Sequence, residues 1–367
     1  MSANRLYFID AVRAFAILMM LQGHFIDTLL APEFRDTTNI YFSTWQYFRG
    51  ITAPTFFTIS GLIFTYLLIT SKKKGTVKVR IKKGLTRGGM LILIGYALRA
   101  PIFLWLAGKF NNYVLVIDVL QCIGVSLITV VAIYQLVMRK TLIFSLIMMC
   151  IGFTIFLTEP LYRGLQLPNT PLFIANYFTK SNGSIFTIIP WFGYIAFGSF
   201  IATIFYRFIN KNRFKDIVII SFLLSGIILI KYSSSILVSA SNVFNLSLLK
   251  DVANYNYLFI RLGNVLVIFS FFYLIENFIK HTLFLKIGQK TLSIYVIHFI
   301  IIYGSFTGLG LNTLIGKTLI PWQAVFGAII FLSTVCFIAF YYTKTNAFVY
   351  SKLRLGFEYI KQKLYKI

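Results

Sequence analysis

The chain has 367 residues, 58% of them hydrophobic and 18% aromatic, with only 12% charged. Soluble domains hold about 25% charged residues, so this composition excludes a soluble globular protein and describes one immersed in lipid. The formal charge of +25 would suggest nucleic acid as the partner of a soluble protein. Here the cations sort by position along the chain, which points to a bilayer and not to nucleic acid.

A spanning helix needs about 20 apolar residues. Ten runs qualify, near 8–30, 44–70, 88–107, 114–138, 141–158, 184–208, 216–232, 257–279, 290–309 and 320–343. They predict an all-α polytopic membrane protein, a single transmembrane domain over 1–367 with a basic cytoplasmic tail at 345–367. Asp10 and Arg13 interrupt the first run and no small-x-small exit follows it, so it reads as a retained helix and not as a cleaved signal. Alternate connections collect the cations: Lys72, Lys73, Lys74, Lys78, Arg80, Lys82, Lys83 and Arg87, then Arg139 and Lys140, then Arg207, Lys211, Arg213 and Lys215, then Lys280, Lys286 and Lys290. By the positive-inside rule those connections and both termini face the cytoplasm. Two outward connections, 159–184 and the Ser- and Asn-rich 233–256, read as long loops. Cys122, Cys150 and Cys336 are too scattered for a zinc site or a redox pair and read as small side chains in apolar runs.

The first run, FIDAVRAFAILMMLQGHFIDTLL, carries Asp10, Arg13, His24 and Asp27. A central charge costs about 2.5–3.5 kcal/mol on insertion scales, so each such group raises a question of function. Arg13 and His24 lie eleven residues apart, which places them about 20° apart on one face and roughly 16 Å apart along the axis. Asp10 is three residues before Arg13, in reach to pair with it. Asp27 is three residues after His24, in reach to orient the imidazole or hold its proton. A polar stripe results, with an ion pair at one end and a candidate acid–base group at the other.

Later runs add Arg99, Asp118 and Arg261 toward the outer ends of their helices, and His298 near mid-membrane with Tyr295 and Tyr303 nearby. Asp118 has the choice of neutralising either arginine, so a structural ion pair and a substrate contact both stand as readings. Arg49 reads as an interface anchor, Glu276 as a partner of the basic inner surface, and His281 as a solvated loop residue. No HExxH, GxSxG or GxGxxG occurs, and the nearest approach to a phosphate loop, Gly310 to Thr318, has the wrong spacing and follows no strand.

The segment IDAVRAFAILMMLQGH resembles the first helix of integral-membrane acyltransferases, with D-x-x-R followed by an R-x10-H spacing. The superfamily includes the acyltransferase-3 proteins and the heparan-α-glucosaminide N-acetyltransferase-like proteins. ITAPTFFTISGLIF, DVLQCIGVSLI, IIPWFGYIAFGSF, RLGNVLVI and IGQKTLSIYVIHFII resemble successive blocks of the latter branch, in order along nearly the whole chain. Ala14 stands where the family commonly has Gly.

The resemblance implies transfer of an acyl group, typically acetyl from acetyl-CoA as co-substrate, to a hydroxyl or amine of a sugar across the membrane, with no metal. His24 matches the motif histidine, Arg13 the motif arginine, and His298 the histidine of the later Y-x-x-H block. The candidate catalytic set is therefore His24, Asp27 and His298, and the candidate donor-binding set Asp10, Arg13, Arg99, Asp118 and Arg261. The basic segment 72–87 is placed to receive the CoA phosphates, although positive-inside asymmetry explains it without a ligand. The implied partners are the bilayer, acyl-CoA and a carbohydrate acceptor. A second reading from another class is a proton-coupled transporter or flippase using the same stripe. It lacks the paired halves and broken helices of many secondary transporters.

Overall fold

The computed structural model describes residues 6–110, 112–280 and 283–341. His281 and the basic tail at 345–367 lie outside the described residues. Among the described residues the regular secondary structure is helical, apart from one isolated bridge between Leu30 and Leu319. The elements used below are α1 (Tyr7–Leu29), α2 (Ile40–Lys73), α3 (Val77–Arg99), α4 (Val119–Leu136), α5 (Thr141–Leu157), α6 (Ile188–Phe208), α7 (Phe214–Phe244), α8 (Tyr257–Leu274), α9 (Leu283–Gln289), α10 (Thr291–Tyr303) and α11 (Pro321–Tyr341).

Each expected run coincides with one of these helices. Seven, namely α1, α2, α4, α6, α7, α8 and α11, are long and apolar enough to cross a bilayer individually. The pair α9 and α10, bent by 77°, supplies an eighth if taken as one span, a broken helix that the sequence did not show and that corrects the expectation of none. Helix α5 is apolar but has 17 residues, about 26 Å, slightly short of a hydrocarbon core of about 30 Å. Helix α3 is long enough, but its first turns are basic. The protein is an all-α, multi-pass membrane protein.

Several boundaries differ from the expected ones, for physical reasons. The run expected at 88–107 is α3, which starts at Val77 and stops at Arg99, because Pro101 pushes the residue before it out of helical geometry. Much of the basic segment expected as an inner connection is thus the first half of a helix. The Ser-rich stretch from 233 is not a loop: α7 continues to Phe244, and a further helix covers Ser247–Asn254. Its serines are tolerated because the hydroxyl turns back on the helix, as when Ser233 Oγ donates to the Leu229 carbonyl at 2.5 Å. Helix α10 ends at Tyr303, where Gly304 takes φ +65°, a backbone region that glycine occupies without strain.

The helices approach one another closely at glycines. A Cβ on Gly198 of α6 would lie 2.0 Å from the Thr58 carbonyl oxygen of α2, and one on Gly61 of α2 would lie 2.3 Å from that of Ile195. Thr65 Oγ1 donates to Ser199 Oγ at 2.8 Å across the same contact. Gly88 and Gly124 bring α3 and α4 together in the same way, as Gly226 and Gly263 do for α7 and α8. In lipid, where burying apolar surface gains little, such small-residue contacts supply the dispersion and backbone proximity that hold helices together. Conversely, α7 turns Ile217, Ile220, Leu224 and Ile228 outward, and α11 turns Val325, Phe326, Ile329 and Phe337 outward. These stripes face lipid.

Contacts also identify the two ends of the bundle. At one, Lys72 Nζ donates to the Arg139 carbonyl at 3.3 Å, Lys73 lies over the Tyr206 ring at 4.6 Å, and Lys290 over Phe340 at 5.5 Å. There too the Tyr7 amide donates to Glu276 Oε1 at 2.8 Å, and Lys215 pairs with Glu276 at 3.8 Å. At the other end, the Leu319 amide donates to the Leu29 carbonyl at the end of α1 while its carbonyl accepts from the Ala31 amide, and Arg261 reaches the Gly50 carbonyl. The end that gathers the lysines and arginines of alternate connections is the one the positive-inside rule assigns to the cytoplasm.

Replacing Gly198 with Val is expected to destabilise the protein by about 1–3 kcal/mol through overpacking. Gly89→Ala, with no atom in its way, is expected to be neutral or to stabilise by up to about 1 kcal/mol. Thermal unfolding in detergent, followed by tryptophan fluorescence, reads both; equal stability of Gly198→Val and the parent would deny the close α2–α6 contact.

Candidate active site

Helix α1 presents its ionisable groups to different neighbours. Arg13 Nη1 lies 3.5 Å from Asp10 Oδ1, and Nη2 donates to Thr291 Oγ1 at 2.8 Å. Thr291 is the first residue of α10, so Arg13 ties α1 to the elbow between α9 and α10. Close packing fixes that elbow, because a Cβ on Gly288 of α9 would lie 1.9 Å from the Asp10 carbonyl oxygen.

Toward the outer end, His24 Nδ1 is 2.7 Å from the Tyr303 hydroxyl. The His24 ring lies 5.3 Å from that of His298, at 72°. His298 is fully buried, and its ring nitrogens meet no side-chain partner among the described residues, only the backbone carbonyls of Ile294 and Tyr295 one turn back. One turn earlier, the Tyr295 ring meets His298 edge-on at 4.9 Å. Tyr295, His298, Phe299 and Tyr303 follow i, i+3, i+4, i+8 spacing, which sets them on one side of α10 facing α1.

Asp27 does not contact the imidazole. Its carboxylate forms an ion pair with Arg49 of α2, and its backbone carbonyl accepts from Arg35 Nη2 at 2.7 Å. Three residues is 300° of rotation, so Asp27 projects about 60° away from His24. His24 faces α10, whereas Asp27 faces α2. The expectation that Asp27 orients His24 is therefore corrected: the Asp27 carboxylate is taken by Arg49, and the group 2.7 Å from His24 Nδ1 is the Tyr303 hydroxyl. Arg49 is likewise more than an interface anchor, being paired with Asp27 and lying 5.9 Å from the Trp45 ring.

The choice left open for Asp118 is resolved by geometry. Asp118 Oδ2 accepts from Arg99 Nη2 at 2.8 Å, and its Oδ1 caps α4 by accepting from the Val119 amide at 2.8 Å. Arg99 is further enclosed by the Tyr113 ring at 4.8 Å and the Phe299 ring at 5.7 Å. Arg261 lies elsewhere, donating to the Gly50 carbonyl at 2.6 Å with its guanidinium over Tyr257 at 5.8 Å. Arg99 and Asp118 form a buried pair beside the histidine turn of α10, and Arg261 binds backbone at the start of the apolar part of α2.

A cavity of about 640 Å³ lies among α1, α2, α3, α4 and α10. Its basic wall holds Arg80, Lys82, Lys83 and Arg87 of α3, with Arg13 of α1 across from them. Phe64, Leu91, Leu120 and Ile123 supply apolar walls, and Thr291 and Tyr295 carry it along α10. Of the five residues expected to bind the donor, only Arg13 lines this cavity. The α3 cations that do line it belong to the basic segment noted in the sequence. Thr291 carried no sequence signal, because a threonine at a helix start is ordinary.

A cavity with a cationic wall and apolar sides thus ends at Tyr295, whose ring meets that of His298, and His298 faces His24. The family model for the catalytic domain of heparan-alpha-glucosaminide N-acetyltransferase matches residues 5–239. The chain belongs to this family, whose kind of function is membrane acetyltransfer. The matched segment includes Arg13, His24 and the cationic stretch of α3; RLGNVLVI and the His298 block lie beyond it. A comparison with curated proteins returns no match.

Removing one partner of the Arg99–Asp118 pair leaves a charge buried alone, so Arg99→Met is expected to cost about 3–5 kcal/mol. Adding Asp118→Asn to that variant should restore most of the loss, since Asn still caps α4. Denaturation midpoints of the single and double variants check this; equal losses in both would show that the two side chains do not depend on each other.

Proposed function

We propose that the protein transfers an acyl group, acetyl, from a cytoplasmic acyl-CoA to a hydroxyl or amine of a glycan on the other side of the membrane. The observation that carries this reading is the continuity of the cavity from four α3 cations to Tyr295, which touches His298, which in turn faces His24. Its volume lies within the range of about 300–1,000 Å³ typical of sites for small molecules and cofactors.

Each part of the donor meets matching chemistry. Arg80, Lys82, Lys83 and Arg87 take the phosphates, because guanidinium and ammonium groups form charge-assisted bonds with phosphate oxygens. Arg13 holds the next polar portion of the donor. The apolar walls accept the pantetheine arm and direct the thioester toward Tyr295 and the imidazole pair.

His24 activates the acceptor from the outer side, as His298 is enclosed and His24 keeps some exposed surface. An imidazole serves near neutral pH either as general base or as carrier of the acyl group. As base, His24 takes the proton of the acceptor hydroxyl or amine while the acceptor oxygen or nitrogen bonds to the acyl carbon. The carbon–sulfur bond breaks, and the proton passes to the CoA thiolate, which leaves as the thiol. Acetyl is a small acyl group and the one the family name carries.

Purified protein incubated with radiolabelled acetyl-CoA and candidate sugars should release CoA and label the acceptor. A protein that moves substrate without consuming thioester would be a transporter instead. His24→Ala is expected to abolish transfer while the protein stays monodisperse in detergent; substantial residual turnover would move the chemistry elsewhere. Arg87→Ala and Arg13→Ala should each weaken donor binding about tenfold, about 1.4 kcal/mol, and an unchanged CoA affinity would exclude the residue concerned from the donor site. Label retained on the protein after removal of acetyl-CoA would identify the acyl-carrier route; its absence during turnover would identify direct transfer.

A further inference from the structure

We infer that Tyr303 is the positioning residue of the reaction: its hydroxyl oxygen accepts a hydrogen bond from His24 Nδ1–H, which leaves the His24 Nε2 lone pair free to act. The inference rests on the proposed acyl transfer and specifies how one imidazole is prepared for it. The observation is the 2.7 Å contact between His24 Nδ1 and the Tyr303 hydroxyl, at the position where the sequence suggested Asp27.

The charged state of the imidazole assigns the direction of that bond. Once Nε2 has taken a proton from the acceptor, both ring nitrogens carry hydrogen and both are donors. Nδ1 then needs an acceptor, and the Tyr303 oxygen is the group at 2.7 Å. A phenol oxygen that already accepts in the resting state meets that need without reorganisation, which is how preorganised dipoles act in a low-dielectric site.

The use of a phenol, not a carboxylate, follows from the medium. A buried carboxylate must be neutralised or paired, and on α1 the nearest one is already paired with Arg49. A neutral hydroxyl selects the tautomer without adding a second charge to the membrane interior. Tyr303 is held for this task by its ring contact with Phe299, at 4.7 Å between centroids. Phe299 in turn lies against Arg99 of the buried Arg99–Asp118 pair. The helix break at Gly304 comes directly after it.

The test combines spectroscopy and kinetics on the full chain in lipid nanodiscs. The chain has three histidines, so a ¹⁵N-histidine-labelled sample gives few signals, and His24→Gln identifies those of His24. The expected wild-type spectrum shows His24 protonated at Nδ1 and unprotonated at Nε2. Tyr303→Phe keeps the ring that packs on Phe299; it should abolish the Nδ1–H preference and lower kcat about 10–100-fold, as loss of an orienting partner does. The KM values for acetyl-CoA and acceptor should change less than about twofold, because the bond acts in the reaction step and not in binding. Asp27→Asn should leave the His24 signals in place. A wild-type spectrum with the proton on Nε2 overturns the inference by itself, even if Tyr303→Phe proves unstable. So does a Tyr303→Phe protein with an unchanged spectrum and kcat. Wild-type protein without any acyl transfer would instead defeat the proposed function, while the histidine spectrum would still decide the role of Tyr303.

Discussion

The cost of holding charge in hydrocarbon organises this protein. Asp10, Arg13, His24 and Asp27 all lie on one helix, and each is matched by a group on that helix or on a neighbour. Arg13 binds Asp10 and Thr291, His24 meets Tyr303, and Asp27 pairs with Arg49. Polar groups in lipid that are worth several kcal/mol when unsatisfied cannot drift. Helix α1 is therefore fastened to α10 at two heights and to α2 near the outer end. The fastening fixes the relative height of every group on the stripe.

The cavity follows from the same fastening. Arg13 and Thr291 hold the α9–α10 elbow against α1, and the 77° bend turns α10 so that Tyr295 lines the cavity while His298, one turn on, faces His24. Glycine contacts draw α3 against α4 and α2 against α6, leaving space between α2, α3 and α4 instead of closing it with side chains. Extending α3 back to Val77 brings the cations of its first turns to that space. Residues that positive-inside asymmetry accounts for by itself thereby also become the basic wall of an intramembrane cavity.

Much of the architecture was legible in the sequence because spanning helices must be long and apolar, and charges within them stand out. The eleven-residue spacing of Arg13 and His24 was a statement about one helix, and one helix has known geometry. What could not be read was which neighbour each face meets. Asp27 was assigned to His24 because both lie on the same helix, and nothing in a single sequence reveals that Arg49 of another helix claims it. Asp118 had two arginines to choose from for the same reason. The Ser-rich part of α7 was misread because serine is polar in composition, yet in a helix its hydroxyl can bond to its own backbone.

His298 tests whether the buried polar groups are structural or are kept for chemistry. Its two ring nitrogens are buried with no side-chain partner among the described residues, only the carbonyls of Ile294 and Tyr295 one turn back, and a buried polar group without a well-formed hydrogen bond costs about 1–3 kcal/mol. Phenylalanine would fill similar space in that aromatic cluster at no such cost. A purely structural role thus gives little reason for an imidazole there, whereas Arg99, also buried, has an ion pair with Asp118 and two aromatic faces, with only its Nε left without a partner. Arg99 thus has its charge neutralised, while His298 has no side-chain partner among the described residues at the point where the cavity wall ends in Tyr295 and the imidazole of His24 begins. Under the proposed reading that is where the acyl carbonyl of the donor arrives, and the two imidazoles are the groups that would meet it.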